Sequence, residues 1–143
     1  MVDMIMGFLI SMLLWHLTWG WKHIILNFCI MPFLLKWIAR YSFISSTLWT
    51  FVSHVCASSV YIFLMSMCIR IFGYTFNDTS ALYLQIQSAP FVCAFIFATF
   101  YAALLCMFFV IMQRWYTISL KRVGIAIMIS NYISAYIIAF CMK

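Results

Sequence analysis

Acidic side chains are almost missing from this chain. Glutamate is absent, and Asp3 and Asp78 are the only acids among 143 residues. A water-exposed surface interleaves charges of both signs, so this sequence does not build one. Proton or cation translocation generally relies on carboxylates embedded in the membrane, and neither acid falls deep within an apolar run, which excludes an autonomous carboxylate-driven pump or antiporter. The same scarcity leaves no nucleophile–base–acid set to complete, and there is no H-E-x-x-H, phosphate loop or Gly-rich nucleotide motif. No enzyme active site is expected. The six cysteines include no C-x-x-C pair and no Cys/His cluster, so no metal site is expected either, and the thiols read as buried and inert.

What is present is apolar: 69% of the residues are hydrophobic and the mean hydropathy is +1.14. The formal charge of +6 comes from Lys22, Lys36, Arg40, Arg70, Arg114, Lys121, Arg122 and Lys143, which sit at the edges of apolar runs. That distribution orients a protein in a bilayer and makes no patch for nucleic acid. The fold class is an all-α integral membrane protein in one domain, 1–143, with the lipid bilayer as its first partner and bound lipid expected.

The longest run, residues 43–69, would span roughly 40 Å as a helix against a hydrocarbon core of about 30 Å. Spans are also expected at about 4–21, where Trp15, Trp19 and Trp21 resemble an interfacial aromatic belt, at 89–112, opened by Pro90, and at 123–142. Pro32 suits a first turn better than a helix interior, so residues 32–40 read as a short interfacial helix carrying Lys36 and Arg40 on one face. The expected architecture is a four-helix transmembrane bundle; a fifth crossing at 24–39 is the alternative. Basic loops at 22–42 and 113–122 belong on the inner side, which puts the polar 70–88 loop and both termini outside. Asn77-Asp78-Thr79 in that loop matches a glycosylation sequon, relevant only where the outer side is a secretory lumen.

Within the longest run, Thr47, Thr50, His54, Ser58, Tyr61 and Met65 recur at three- and four-residue steps, a stripe that should face protein. Interhelical hydrogen bonding is the plain explanation for such a stripe. The sharper one is a haem or quinone site, because His16 and His54 fall at similar depth in the four-span arrangement and two imidazoles at one depth can ligate a haem. His23 reads as a solvated residue of the inner loop. Ala94, Ala98 and Ala102 form one row of small residues and Ala126, Ser130 and Ser134 another, each suited to close helix packing. Asn131, near the middle of the last span, needs a hydrogen-bond partner.

The stretch Phe51-Val52-Ser53-His54-Val55-Cys56-Ala57-Ser58, set in the first of three consecutive spans after a loosely apolar N-terminal segment, resembles the cytochrome b subunit of succinate dehydrogenase over residues 41–142. Phe51 stands where that family has serine, Val55 where it has arginine, and 89–112 holds no histidine. The resemblance implies a membrane anchor in a respiratory complex, with haem b or quinone as the class of cofactor. It assigns no site residue.

Together these features give a non-catalytic membrane subunit of a hetero-oligomeric respiratory complex, expected in the mitochondrial inner membrane, with a bacterial inner membrane as the alternative. The rival class is a small homo-oligomeric channel or transporter, its pore lined by Asn131, Ser130 and Ser134 or by the His54 stripe.

Overall fold

A computed structural model of the chain describes residues 19–72 and 90–141. Four helices fill this part: α1 Trp21–Ile38, α2 Phe43–Phe72, α3 Pro90–Met112 and α4 Leu120–Cys141, with no strand among the described residues. Three of them carry stretches long and apolar enough to cross a membrane: Phe43–Leu64 within α2, Phe91–Met112 in α3 and Leu120–Cys141 in α4. The expected span at about 4–21, with His16, lies outside the described residues apart from its last positions, as does the sequon of the 70–88 loop. That loop begins later than expected, because α2 continues through Phe72.

Helix α1 departs most from the sequence reading. Pro32 opens no helix; it is buried inside the 18-residue α1, and the expected interfacial helix 32–40 is the C-terminal half of that continuous element. Proline has no N–H to give to the Phe28 carbonyl, a loss usually severe enough to break a helix. Here tertiary packing overrides the local preference. His23, Asn27, Met31 and Leu35 recur every four residues, and all four are buried where α1 packs along α4 and α2.

The continuous helix also redistributes charge. Lys22 and Lys36 are 14 residues apart in α1, about 21 Å at 1.5 Å per residue, so the supposed basic loop 22–42 is divided between the two ends of that helix. Lys22 instead lies with its ammonium 3.9 Å from the Trp19 ring centroid, a cation–π contact. At the other end, α1 turns into α2 through Arg40, the one non-glycine residue with positive φ among the described residues, at 60°. The α3–α4 turn lies at this same end, because Trp49 near the start of α2 packs edge-on against Tyr116 of that turn at 5.1 Å. Lys36, Arg40, Arg114, Lys121 and Arg122 therefore gather at one end.

The most extensive contact joins α3 to α4. Ala94, Ala98 and Ala102 on α3 and Ala126, Ser130 and Ser134 on α4 are all at 0% exposure, and larger side chains fill the spaces beside them, notably Phe97, Tyr101 and Leu105. Tyr132 of α4 crosses to α3, stacking on Phe95 at 5.6 Å with its hydroxyl 3.0 Å from Thr99 Oγ1. Outward faces are apolar, as lipid contact requires: Ile44, Phe63, Met107 and Phe140 are exposed. Cys29, Cys56 and Cys141 also lie on exposed positions, which corrects the expectation that the thiols are buried; in lipid, an apolar environment comes from outside as well as inside.

Candidate functional site

The site begins with a polar knot between α1 and α4. Asn131 Nδ2 donates to the Ile127 carbonyl at 2.8 Å, which fixes the amide so that Oδ1 faces α1. There Oδ1 accepts from Asn27 Nδ2 and from His23 Nε2–H, both at 3.0 Å. The three side chains are at 0% exposure. His23 also stands edge-on to Phe97 at 5.2 Å and to Tyr101 at 6.2 Å. The reading of His23 as a solvated loop residue is thus overturned: it belongs to a helix wedged against α4, and its hydrogen bond is made at mid-height, since Asn131 stands near the centre of Leu120–Cys141.

This knot sets the rotation of α1 about its own axis. With His23 and Asn27 turned to α4, the adjacent stripe of Ile24 and Phe28 turns to α2. Those residues form one wall of a groove of about 460 Å³, whose other wall is α2 from Phe51 to Ile62. The volume falls in the range of small-molecule sites, roughly 300 to 1,000 Å³.

His54 is part of the α2 wall and is 4% exposed. Its Nδ1 lies 2.8 Å from the Thr50 carbonyl. A carbonyl only accepts, so Nδ1 carries the hydrogen, and in the uncharged ring Nε2 is left as a bare lone pair. That Nε2 is buried without a hydrogen-bond partner among the described residues. The ring is held in place by Phe28, edge-on at 6.2 Å, and by Tyr101 at 5.8 Å.

The remaining stripe behaves differently from the expected interhelical ladder. Thr47 and Thr50 bond to backbone carbonyls of their own helix, at Phe43 and Ser46, as do Ser53 and Ser59 beside the stripe, at Thr50 and Val55. Hydroxyls three or four residues from a carbonyl in a helix have this local alternative. Toward α3, Ser58 Oγ is 2.9 Å from Tyr101 Oη and the Tyr61 ring packs edge-on against Phe97 at 5.6 Å. Either hydroxyl can be the donor in that pair, and Tyr101 Oη also lies 3.4 Å from the His54 carbonyl.

For a haem, His54 is the one histidine in the groove wall. His23 does not line the groove, and the groove wall carries no cation or free N–H to receive a haem's carboxylates. Among the described residues no three His, Cys, Asp or Glu side chains gather to hold a metal ion. Ser130 and Ser134 bond to carbonyls of their own helix, at Ile127 and Ser130.

Sequence reasoning missed His23 and Asn27. Their four-residue spacing, continued by Met31 and Leu35, was the available signal, but it becomes visible only once the helix is carried through Pro32. Compared with protein-family models, with curated proteins and with solved structures, the chain has no match in any of the three.

Proposed function

We propose that the chain is a non-catalytic integral membrane subunit of a larger assembly, and that it contributes helix packing and a lipid-facing surface in place of chemistry of its own. One observation carries this reading: the polar groups at the centre of α4 are consumed within the chain. Ser130, Asn131 and Ser134, which would line the pore of a channel, are fully buried and bonded to α4 itself or to α1. The described residues contain no acid at all, because both aspartates lie elsewhere in the sequence. Among the described residues there is no embedded carboxylate, and the polar centre of α4 is closed by its own hydrogen bonds, which argues against relaying protons or conducting ions along that helix.

In this reading α1 lies within the membrane as well, since its His23 and Asn27 meet Asn131 at the mid-height of α4. Helix α2 is the outermost of the long helices: 28% of its apolar stretch is buried, against 39% in α3 and 50% in α4. It is the helix best placed to meet neighbouring subunits. A respiratory complex of an energy-coupling membrane is the assembly we favour, on the resemblance noted above.

Purification of the tagged chain in a gentle detergent tests this. Several different membrane proteins should accompany it in fixed ratio through two separation steps. A homo-oligomer that conducts ions in liposomes would sink the reading.

A further inference from the structure

We infer that the basic end of the bundle and the α2–α3 groove beside it bind one anionic phospholipid, with Arg114 holding the phosphate and an acyl chain lying in the groove.

The charge at this end is unbalanced. Lys36, Arg40, Arg114, Lys121 and Arg122 are all exposed there, and the described residues contain no acid to neutralise them. A zwitterionic headgroup would bring its own ammonium beside five cations, whereas an anionic one brings only the phosphate charge they lack. Exposed aromatic rings set the depth. Trp37, Trp115 and Tyr116 are 79%, 68% and 53% exposed, and rings of this kind collect at the level of lipid headgroups. Arg114 therefore stands where phosphates are.

The α3–α4 turn has room for the headgroup. Gln113 to Ile118 form a crevice of about 320 Å³ whose polar side chains, Gln113, Arg114, Tyr116 and Thr117, all carry hydrogen-bond donors. A guanidinium can meet two phosphate oxygens at once, which a lysine in its place could not do.

A groove for the tail begins next to that crevice. Ile111, whose carbonyl accepts the Arg114 N–H at 3.2 Å, is the first residue of an apolar groove of about 280 Å³ between α3 and α2. Its α3 wall runs back from Ile111 to Leu104, seven residues or about 10 Å toward mid-membrane. Its α2 wall is Cys56, Ala57 and Val60, and the small Ala57 side chain leaves the space open. Trp49 links the two parts, packing on Tyr116 at 5.1 Å and on Phe108 of the groove at 6.2 Å. The inference rests on reading the chain as a membrane protein and not on its place in a larger assembly.

The test uses the full-length chain in phosphatidylcholine nanodiscs, doped with one of two lipids that carry the same photoreactive acyl chain, one with a phosphatidylglycerol head and one with a phosphatidylcholine head. After irradiation, peptides are mapped by mass spectrometry. The anionic probe should label segments 56–60 and 104–111 about fivefold more strongly than the zwitterionic one, the discrimination that one arginine gives near an anionic surface. Arg114→Gln should remove most of that preference, and Lys22→Gln in the first turn of α1 should leave it intact. The wild-type comparison needs no variant to fold and no partner subunit, so its failure is distinct from failure of the assembly reading. Equal labelling of the groove by both probes in the wild-type chain overturns the inference. So does an anionic preference just as large on the lipid-facing segment 128–137 of α4, which would mark a general lipid annulus. If inorganic phosphate abolishes the preference and chloride at the same ionic strength does not, the crevice takes a free anion and the lipid site is refuted. Groove residues that cross-link to a second copy of the chain, to the exclusion of both probes, would refute it as well.

Discussion

Replacing Asn131 by leucine isolates the knot that positions α1. The substitution is close to volume-conserving but deletes both interhelical hydrogen bonds, to His23 and to Asn27, each 3.0 Å long. Hydrogen bonds between helices in a bilayer average about 0.6 kcal/mol, which gives about 1.2 kcal/mol for the pair. Two donors are then stranded in a fully buried setting, and an unsatisfied buried donor costs about 1 to 3 kcal/mol where the helix cannot move to relieve it. The larger effect wins, because His23 and Asn27 sit at 0% exposure with aromatic rings against the imidazole. We expect a loss of about 2 kcal/mol, more than tenfold in the folding equilibrium. Reversible unfolding in mixed micelles, followed by circular dichroism, measures it. A double-mutant cycle with Asn27→Ala should show coupling of at least about 0.5 kcal/mol, since residues sharing a hydrogen bond do not act independently. An unchanged unfolding midpoint for Asn131→Leu, or single costs that simply add in the cycle, would refute the account of the knot.

Four further outcomes follow from the packing and the turns. Ala98→Leu inserts volume into a position at 0% exposure and should cost about 1 to 3 kcal/mol in thermal stability, whereas Ala103→Leu on the exposed face of the same helix should be near neutral. Arg40→Gly should raise stability by about 1 kcal/mol in the same unfolding assay, because a residue with a Cβ pays for its φ of 60° and glycine does not. Gly124→Ala should be neutral or stabilising by up to about 1 kcal/mol, since a Cβ there meets nothing within 4 Å and helix propensity improves. Single thiols introduced at Ser42 and at Thr117 in a cysteine-free background should react with an impermeant reagent from the same side of a sealed vesicle; labelling from opposite sides would break the shared-end arrangement of the two turns.

The long helices were legible because nothing in their sequences competes with an apolar run: expected spans at 43–69, 89–112 and 123–142 correspond to Phe43–Phe72, Pro90–Met112 and Leu120–Cys141. Small residues at four-residue spacing also pointed to faces that the structure buries, although spacing does not say which helix answers them. Helix α1 was not legible. Its sequence carries a proline, two lysines and too few consecutive apolar residues, and its helicity rests on contacts with α2 and α4 that only a folded chain provides. His54 was visible as a buried imidazole, but its open nitrogen was not, since the tautomer follows from the Thr50 carbonyl and hence from geometry. The hydroxyl stripe was overread for a related reason: Thr47 and Thr50 find acceptors in their own backbone.

The two turns at one end also bear on how such a chain enters a membrane. Helices α1 and α2 are joined by residues 39–42, and α3 and α4 by residues 113–119, so each pair is a hairpin with cations at its closed end. A hairpin inserts by burying two apolar arms together while its basic corner stays where synthesis began. Between the hairpins runs the segment 73–89, which has no lysine or arginine and a single aspartate. The sequence that joins the two hairpins therefore carries no positive charge to retain it on the side of the basic corners.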